Sequence, residues 1–330
     1  MATYTAGGPN RGIYLEPDNA QLGAGATTNR SKALPSHVFV TAKYLGRCVE
    51  TGLFGVTVQQ VNYLATVSPG DSVFLLETGT GRIAGPFSID GPLFFSQTPV
   101  WENPDKFTYR LRLAGPEVWQ ADVSALWNVL LRRRVSEFFS FTTFQRSSVG
   151  LIGDEGNALA EALKRTAAVA FTPGATPVDQ RPVDLLQKDT AFFTSEARLE
   201  ASLLLARDEF LAFLRDEGHL SRGTSPTVLN QVTLPGLNYN VDVLLLSDNS
   251  ALVIELKKDA VDEQANSQLK RYGRYWEACG LAVTLVAIGN AVACTDPSIA
   301  VYSYGIDRSR GAVRLEGNGK KWYLPARTGG

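Results

Sequence analysis

The segment over residues 241–275 constrains the fold of this 330-residue chain most strongly, and it reads VDVLLLSDNSALVIELKKDAVDEQANSQLKRYGRY. Two apolar runs, VDVLLL and ALVIELK, flank a turn-rich tetrapeptide at residues 247–250. Short apolar runs that are bounded by turn residues are typical of buried strands. The pattern therefore predicts a tight hairpin, which is followed by a helix over DEQANSQLKRYGRYWEA.

Three charged residues interrupt this apolar hairpin. Asp242 is the lone acid of the first run, and Glu255 and Lys257 end the second, where the two-residue period of a strand places both on one face. Two carboxylates that face each other across a hairpin suit a hard cation such as Mg²⁺. With an ammonium group beside the cation, the arrangement favours hydrolysis of a phosphodiester.

Composition excludes several other classes of protein. With 44% hydrophobic and 20% charged residues, the chain is typical of soluble globular proteins, and its length predicts two domains. The longest apolar stretch, residues 281–294, is interrupted by polar residues and is shorter than the ~20 residues of a membrane span. Without a signal-peptide pattern, and with three cysteines that show no paired spacing, we expect a cytoplasmic protein with no membrane partner.

Histidine content and net charge restrict the chemistry further. Two histidines argue against His-rich metal sites and Ser-His-Asp triads. The formal charge of −1, from 32 basic and 33 acidic residues, provides no global basic field for nucleic acid. Any binding of nucleic acid is therefore expected to be weak unless a specific site directs it.

The chain divides into four predicted segments. Residues 1–34, rich in Gly, Ala, Asn and Thr, are expected to form a flexible arm. Residues 35–168 contain short strands at regular spacing, which favours a small β-barrel. Residues 169–194 include three prolines and are predicted to be a linker. Residues 195–330 combine helices with the hairpin and further strands, which predicts an α/β core.

The motif of Asp242, twelve residues, then Glu255-Leu256-Lys257 resembles that of the PD-(D/E)XK nuclease superfamily. The string IELKK…QLKRY is especially similar to the nuclease domain of single-strand and mismatch endonucleases and of related restriction nucleases. The resemblance covers residues 196–290 and implies the α/β nuclease core of that superfamily. Val241 stands where the name of the superfamily has Pro.

The resemblance implies a role for each matching residue. Asp242 and Glu255 would hold Mg²⁺, for which Mn²⁺ is expected to substitute. Lys257 would position or help deprotonate the attacking water and would stabilise charge in the transition state. Gln268 matches a helical glutamine that orients the water or the nucleic-acid strand.

The helix that opens the second domain, EARLEASLLLARDEFLAFLRDEG, is expected to supply a further acid. At 100° per residue, Glu196 and Glu200 fall inside its apolar sector. An acid in such a sector either reaches the edge of the helix or points at a buried polar site. Glu200 matches the acid often supplied by this helix in the superfamily, and Glu196, one turn away, remains an alternative.

The N-terminal domain resembles the EVE/YTH branch of PUA-like barrels over residues 36–165. The resemblance depends on HVFVTAKY, GLFGV, PGDSVFLLET and the tryptophan before FTYRLRL. Domains of this branch hold a base, often a methylated one, in an aromatic pocket. Trp101 matches a wall of that pocket, Phe54 and Tyr44 are further candidates, and the alternative is that Trp101 only packs on the barrel.

The two resemblances together imply a modification-dependent DNA endonuclease of the type IV restriction kind. The N-terminal domain would read a flipped modified base, and the C-terminal domain would hydrolyse a nearby phosphodiester with Mg²⁺. Because one active site cuts one strand, duplex cleavage would require a homodimer or two binding events. The alternatives are a structure- or mismatch-directed DNA repair endonuclease and a non-catalytic reader of modified RNA or DNA.

Overall fold

The computed structural model of the chain describes residues 36–103, 105–126, 148–151, 155–166, 170–186, 191–234, 240–247 and 249–326. The predicted arm over residues 1–34 lies outside these ranges. Leu34–Gly330 form one compact unit, which contains two large β-sheets.

The first sheet has nine strands in a mixed arrangement, and its central path runs β2-β6-β4-β3-β1-β8. Its strands are β1 (Ser36–Thr41), β2 (Leu53–Val56), β3 (Ser72–Glu77), β4 (Arg82–Ile89), β5 (Phe94–Phe95), β6 (Tyr109–Ala114), β7 (Val118–Asp122), β8 (Ser148–Leu151) and β9 (Ala170–Phe171). The helices beside it are α1 (Leu45–Thr51), a 3₁₀ helix (Val58–Leu64) and α2 (Glu155–Thr166).

The predicted small barrel is not closed among the described residues, since β2 and β8, the two ends of the central path, do not pair with each other. Strand β4 shows how the sheet opens. Its first half, Arg82–Gly85, pairs with β7, whereas Ser88 and Ile89 pair with β6. Pro86 lies between the two halves and has no N–H to donate, so the ladder changes partner there.

The second sheet has seven strands in the order β10-β11-β12-β14-β16-β17-β18. Its strands are β10 (Thr227–Thr233), β11 (Asn240–Ser247), β12 (Ser250–Leu256), β14 (Ala282–Gly289), β16 (Ala300–Asp307), β17 (Ala312–Gly317) and β18 (Lys320–Pro325). A small parallel pair is formed by β13 (Ala260–Val261) and β15 (Ala291–Val292), and the helices are α3 (Glu196–Leu205), α4 (Arg207–Asp216) and α5 (Glu263–Ala278). The predicted hairpin is β11 and β12, which pair antiparallel from Val243↔Ile254 to Ser247↔Ser250.

Strand β12 is the centre of the second sheet. Every residue of β12 from Ala251 to Leu256 is buried. Strand β14 pairs with β12 in parallel, and helix α5 forms the crossover connection between the two strands. Alternate residues face opposite layers: Ala251 and Val253 pack with α5, and Leu252 and Ile254 pack in the core that contains α3 and α4. Helix α5 begins at its N-cap Asp262, whose Oδ1 accepts from the Ala265 amide at 2.9 Å.

The helix predicted at the start of the second domain is interrupted at Ala206, whose ψ of 44° is not helical. Helices α3 and α4 result, and residues 199–204 of α3 are all buried. A helix that is buried on most sides must lie between layers rather than on the surface. The acid at Glu200 is therefore inside the protein and 1% exposed.

One apolar core extends from the first sheet to the second. It includes Phe39 and Leu75 of the first sheet, Leu203 of α3, and Val243 and Leu324 of the second sheet. Residues 170–186 of the predicted linker lie along the first sheet, where the Arg181 and Phe95 amides and carbonyls are paired at 2.8 and 2.9 Å. Its residues 191–194 contact the second sheet, where the Ala191 carbonyl accepts from the Ile306 amide at 2.9 Å. Helix α2 packs through Leu159 and Leu163 on a separate cluster of that sheet. None of the described helices has the length and apolarity needed to cross a membrane.

Candidate metal centre and aromatic cavity

The hairpin brings Asp242 and Glu255 to the same end of the second sheet. Because β11 and β12 are antiparallel, the start of β11 adjoins the end of β12. Asp242 Oδ2 accepts from the Leu256 backbone amide at 2.8 Å, which ties its carboxylate to the end of β12. Glu255 is 1% exposed and lies on the α5 side of the sheet.

The surroundings of both carboxylates, of which Glu255 is buried and Asp242 partly buried, disfavour the anionic form. Burial raises the pKa of Asp242 to about 6. Burial and the neighbouring Asp242 charge raise the pKa of Glu255 to about 8. The Oε2 atom of Glu255 is buried and has no hydrogen-bond partner within the described part of the chain. Such a carboxylate is stable as an anion only when a cation compensates its charge.

Lys257 supplies part of that compensation. Its Nζ donates to Glu255 Oε1 at 2.6 Å, as the same-face prediction requires, and its side chain is 24% exposed. Burial alone would lower the pKa of Lys257, but the charges of Glu255 and Asp242 outweigh it and raise the pKa. The ammonium form is therefore favoured, at the boundary between the buried carboxylates and solvent.

The two candidate acids of α3 occupy different environments. Glu196 is partly buried, and its charge adds to the effect of burial in raising the pKa of Asp242 and Glu255. The carboxylate of Glu200 accepts from three amide groups, those of Asn62 at 3.0 Å, Asn230 at 2.8 Å and Gln231 at 2.7 Å. Burial and the Asp242 charge nevertheless raise the pKa of Glu200 to about 8.

Gln268 lies on the face of α5 that is turned towards these charges. Its Nε2 donates to the Tyr272 hydroxyl at 2.5 Å, one helical turn further on. Burial raises the pKa of Tyr272 to about 12, and the charges of Glu255 and Asp242 act in the same direction. Helix α5 thus presents an amide and a phenol beside the two strand carboxylates.

The centre fits a divalent cation through the oxygen atoms of Asp242 and Glu255. The unpartnered Glu255 oxygen and the raised pKa values of both groups are what a site built for a cation is expected to show without it. Over the described ranges, no group of three or more His, Cys, Asp and Glu side chains has a metal-binding arrangement. Two carboxylates with water completing the shell suit Mg²⁺, which retains several waters in protein sites.

A second candidate site is a cavity of about 340 Å³ beside the first sheet. The three residues predicted for base binding, Tyr44, Phe54 and Trp101, all line it. Phe107 adds a fourth aromatic side chain, and Gln60 of the 3₁₀ helix contributes a polar group. A cavity of this volume with few polar groups is typical of sites for small molecules or single bases.

The aromatic walls of the cavity are fixed by packing. Phe107 meets Trp101 edge-on at 5.5 Å between ring centroids and Tyr44 at 5.6 Å. The guanidinium of the fully buried Arg110 lies 5.2 Å from the centre of the Trp101 ring and donates to the Phe107 carbonyl at 2.8 Å. Burial lowers the pKa of Arg110 to about 10. Trp101 is 7% exposed, and it both packs on the sheet and lines the cavity.

Gly55 makes the position of Trp101 possible. A Cβ atom at Gly55 would lie 2.9 Å from the Trp101 ring and 3.1 Å from Phe107 Cβ. Two lysines, Lys43 and Lys106, also line the cavity, with their ammonium groups 5.2 Å and 5.6 Å from the Tyr44 and Phe107 rings. The cavity therefore combines aromatic walls with cationic groups.

Sequence reasoning missed several residues around both sites. Gln231 lies in β10 and Asn62 in the 3₁₀ helix, and no pattern along the chain marks either residue. Arg110 reads as an exposed charge in the alternating run FTYRLRL, although its side chain is fully buried. Only Gly55, the second glycine of GLFGV, could have indicated a neighbour of the site, since glycine within a strand often marks a close approach by another group.

Comparison with known proteins gives a limited result. No family model matches the sequence, and no curated protein has significant similarity to it. Among solved structures, the crystal structure of the Pho92 YTH domain in complex with m6A is similar, with a TM-score of 0.34 and 17% sequence identity. The match covers 44% of this chain and 92% of that chain. A similarity of this extent does not define the function of either site.

Proposed function

We propose that this protein is a metal-dependent endonuclease that selects modified DNA by binding an extruded base. One observation carries the proposal: the buried Glu255 carboxylate, the partly buried Asp242 carboxylate and the Lys257 ammonium meet at the adjoining ends of β11 and β12, with one Glu255 oxygen unpartnered among the described residues. This set matches the Asp, Glu and Lys of the PD-(D/E)XK motif in type and spacing. A phosphodiester is the substrate class that such a centre suits best.

In this proposal Asp242 and Glu255 hold Mg²⁺. When bound, the metal would polarise a phosphate oxygen and lower the pKa of a water molecule. Lys257, the exposed member of the set, would donate to the phosphate and stabilise the charge that develops in the transition state. Gln268, whose nitrogen is engaged by Tyr272, would use its carbonyl oxygen to orient the attacking water. Glu196 fits better than Glu200 as an accessory acid, because the Glu200 carboxylate is 1% exposed and already accepts from three amides, whereas each Asp242 oxygen accepts from only one donor.

The aromatic cavity would select the target. A base that leaves the duplex can stack on aromatic side chains, and such stacking contributes about 1–3 kcal/mol per base. Lys106 would attract an adjacent phosphate, whereas the Lys43 ammonium already pairs with Glu102 at 3.0 Å. Since the net charge of the chain is −1, binding that depends on a captured base accounts for target choice without a large basic surface. A modified base is the expected ligand because a modification alters both shape and the energy of extrusion.

The cleavage half of the proposal is tested with Lys257→Ala. We expect the variant to bind DNA as the wild type does but to cleave it about 10²–10³-fold more slowly in Mg²⁺, the loss typical for one transition-state donor. Lys258→Ala is the matched control, because Lys258 is the adjacent residue, 48% exposed, and pairs with Asp259. If the wild type cleaves neither DNA nor RNA in Mg²⁺ or Mn²⁺, the protein is a non-catalytic reader.

The reading half is tested with Trp101→Ala. This variant should lose discrimination between modified and unmodified DNA while it retains Mg²⁺-dependent cleavage. Trp119→Ala serves as the control, since Trp119 lies on β7 of the same sheet and contacts Lys164 rather than the cavity. Equal loss of discrimination in both variants would show that the effect comes from the stability of the sheet.

A further inference from the structure

A buried polar network joins the two sheets beside the candidate metal centre. On the first side lies the 3₁₀ helix, from which the Asn62 amide donates to Glu200 Oε2 at 3.0 Å. On the second side Asn230 of β10 donates to Glu200 Oε1 at 2.8 Å and to the Asn62 carbonyl at 2.6 Å. Thr66, which follows the 3₁₀ helix, donates to Asn230 Oδ1 at 3.2 Å. Glu200 thus holds the 3₁₀ helix and β10 together.

Gln231 extends this network to the metal centre. Its Nε2 donates to Glu200 Oε2 at 2.7 Å and to Asp242 Oδ1 at 3.1 Å, so one amide bridges two carboxylates. The other oxygen of Asp242 is held by the Leu256 amide at 2.8 Å. Both oxygens of the proposed metal ligand are therefore oriented by protein donors.

The backbone of Gln231 is unusual in a way that serves this contact. Its φ is +50°, a left-handed conformation that is uncommon for residues other than glycine. In the register of β10 and β11, Asn230 pairs with Val243 and Val232 with Val241, so Gln231 stands opposite Asp242. A residue held in an unfavourable conformation beside a candidate site indicates that its position matters for function.

We infer that Gln231 is a positioning residue for Asp242, and that Asn62, acting through Glu200, helps to hold Gln231 in place. The inference rests on the proposed metal role of Asp242 and deepens it. The 3₁₀ helix that carries Asn62 also carries Gln60, which lines the aromatic cavity. One short helix therefore contacts the cavity and supports the metal centre.

The consequence is that metal affinity depends on residues that do not touch the metal. Groups that orient a ligating carboxylate typically change metal affinity by roughly 10–100-fold when they are removed. Because Asn62 acts through Glu200 and Gln231, its removal should lower metal affinity by a smaller factor than removal of Gln231 does. In a protein that already lacks Gln231, removal of Asn62 should not lower metal affinity further.

Titration of the full chain with Mn²⁺, with free Mn²⁺ followed by electron paramagnetic resonance, measures this affinity without any cleavage. Gln231→Gly removes the amide but suits the left-handed backbone, so any fall in melting temperature reports the hydrogen bonds lost by Glu200 and Asp242 rather than backbone strain. We expect its Mn²⁺ dissociation constant to rise about 10-fold. Asn62→Ala should raise the constant by a smaller factor, and the double variant should match Gln231→Gly. Ser202→Ala is the matched control, since Ser202 is buried on the same helix as Glu200 and its hydroxyl has no partner in the described structure.

The outcomes separate the two proposals. If the wild type binds no Mn²⁺, or binds it equally well after Asp242→Ala, the proposed metal centre is wrong and the positioning role falls with it. If the wild type binds Mn²⁺ through Asp242 but Gln231→Gly and Asn62→Ala bind it with the wild-type constant, only the positioning role is overturned. A fall in melting temperature with unchanged Mn²⁺ affinity would show that the network is merely structural.

Discussion

Glu255 combines features that a stable core residue does not have. Its side chain is almost fully buried, one oxygen pairs with Lys257, and the other has no partner among the described residues. Asp242 and Glu196 add negative charge nearby. A buried carboxylate in such surroundings is costly as an anion, and the proposed metal ion would reduce that cost beyond what Lys257 provides.

Most mutations in a core lower the stability of the fold, whereas substitution of Glu255 by glutamine should raise it in the metal-free protein. The pKa of Glu255 is raised from 4.5 to about 8, so in the metal-free protein its ionisation costs stability above pH 4.5, and the cost grows until the pH passes 8. In EDTA at pH 8 we expect Glu255→Gln to melt at a higher temperature than the wild type, and the difference to vanish near pH 4.5. Thermal melts across this pH range provide the measurement.

Metal binding gives the complementary result for the same variant. Mg²⁺ should raise the melting temperature of the wild type, because a ligand that binds only the folded state stabilises it, and it should leave Glu255→Gln unchanged. A variant that is less stable than the wild type at pH 8, or equally stabilised by Mg²⁺, would show that Glu255 is a structural residue.

At this scale the strand period predicted the most. The alternation of β12 placed Glu255 and Lys257 together, and the spacing placed Asp242 across the hairpin, because these positions follow from local geometry. Gln231 could not be predicted, since its role depends on a left-handed backbone and on a register between two strands. For Glu200 the sequence left open an edge position or a buried polar site, and the packing of α3 between two sheets shows the second, with amides from both sides donating to its oxygens.

At the scale of single elements, β2 shows how one glycine shapes a site. Trp101 crosses this strand at Gly55, where the ring lies closer than a Cβ atom would permit. Strand β2 therefore lacks the packing that a side chain at residue 55 would contribute, and the space is filled by the tryptophan that lines the cavity. The sequence GLFGV indicates a close approach, but the partner comes from a loop that lies much further along the chain.

Gly55→Ala should displace Trp101 and weaken base binding. Because the new methyl group overlaps the ring, we also expect a loss of about 1–3 kcal/mol in the free energy of unfolding. Gly46→Ala is the control: Gly46 lies in α1, and a methyl group added there would meet no atom within 4 Å, so alanine should be neutral or stabilising. Tryptophan fluorescence and denaturant titration measure both effects, and an unperturbed Trp101 signal in Gly55→Ala would contradict the expectation.

The elements themselves were predicted to different degrees. The hairpin β11–β12 and helix α5 follow directly from apolar runs and from the capping residue Asp262. The break at Ala206 has no glycine or proline to announce it. The first sheet has the short strands of a barrel, but the change of partner at Pro86 depends on which strands lie beside β4, and this is not encoded locally.

At the scale of the whole molecule, the two sheets share one apolar core. Residues of β1, α3 and β18 belong to the same buried cluster, and the polar network around Glu200 crosses between the sheets. A periodic pattern reports which face of an element is buried, but it does not report against which other element. The sequence pattern therefore could not predict that the two sheets share this core.

A shared core predicts cooperative unfolding. Differential scanning calorimetry of the full chain should show one transition for the two sheets, with a calorimetric enthalpy equal to the van't Hoff enthalpy. The reason is that exposing one sheet would expose apolar surface of the other. Two well-separated transitions would show that the sheets are independent domains.

In the proposed function, the aromatic cavity directs the metal centre to modified DNA. The most direct measurement compares Mg²⁺-dependent cleavage of methylated, hydroxymethylated and unmodified plasmids of the same sequence by the wild-type protein, with EDTA as the blank. We expect rapid cleavage of one modified plasmid, little cleavage of the unmodified plasmid, and none in EDTA. Equal cleavage of all three plasmids, or cleavage that continues in EDTA, would contradict the proposed function.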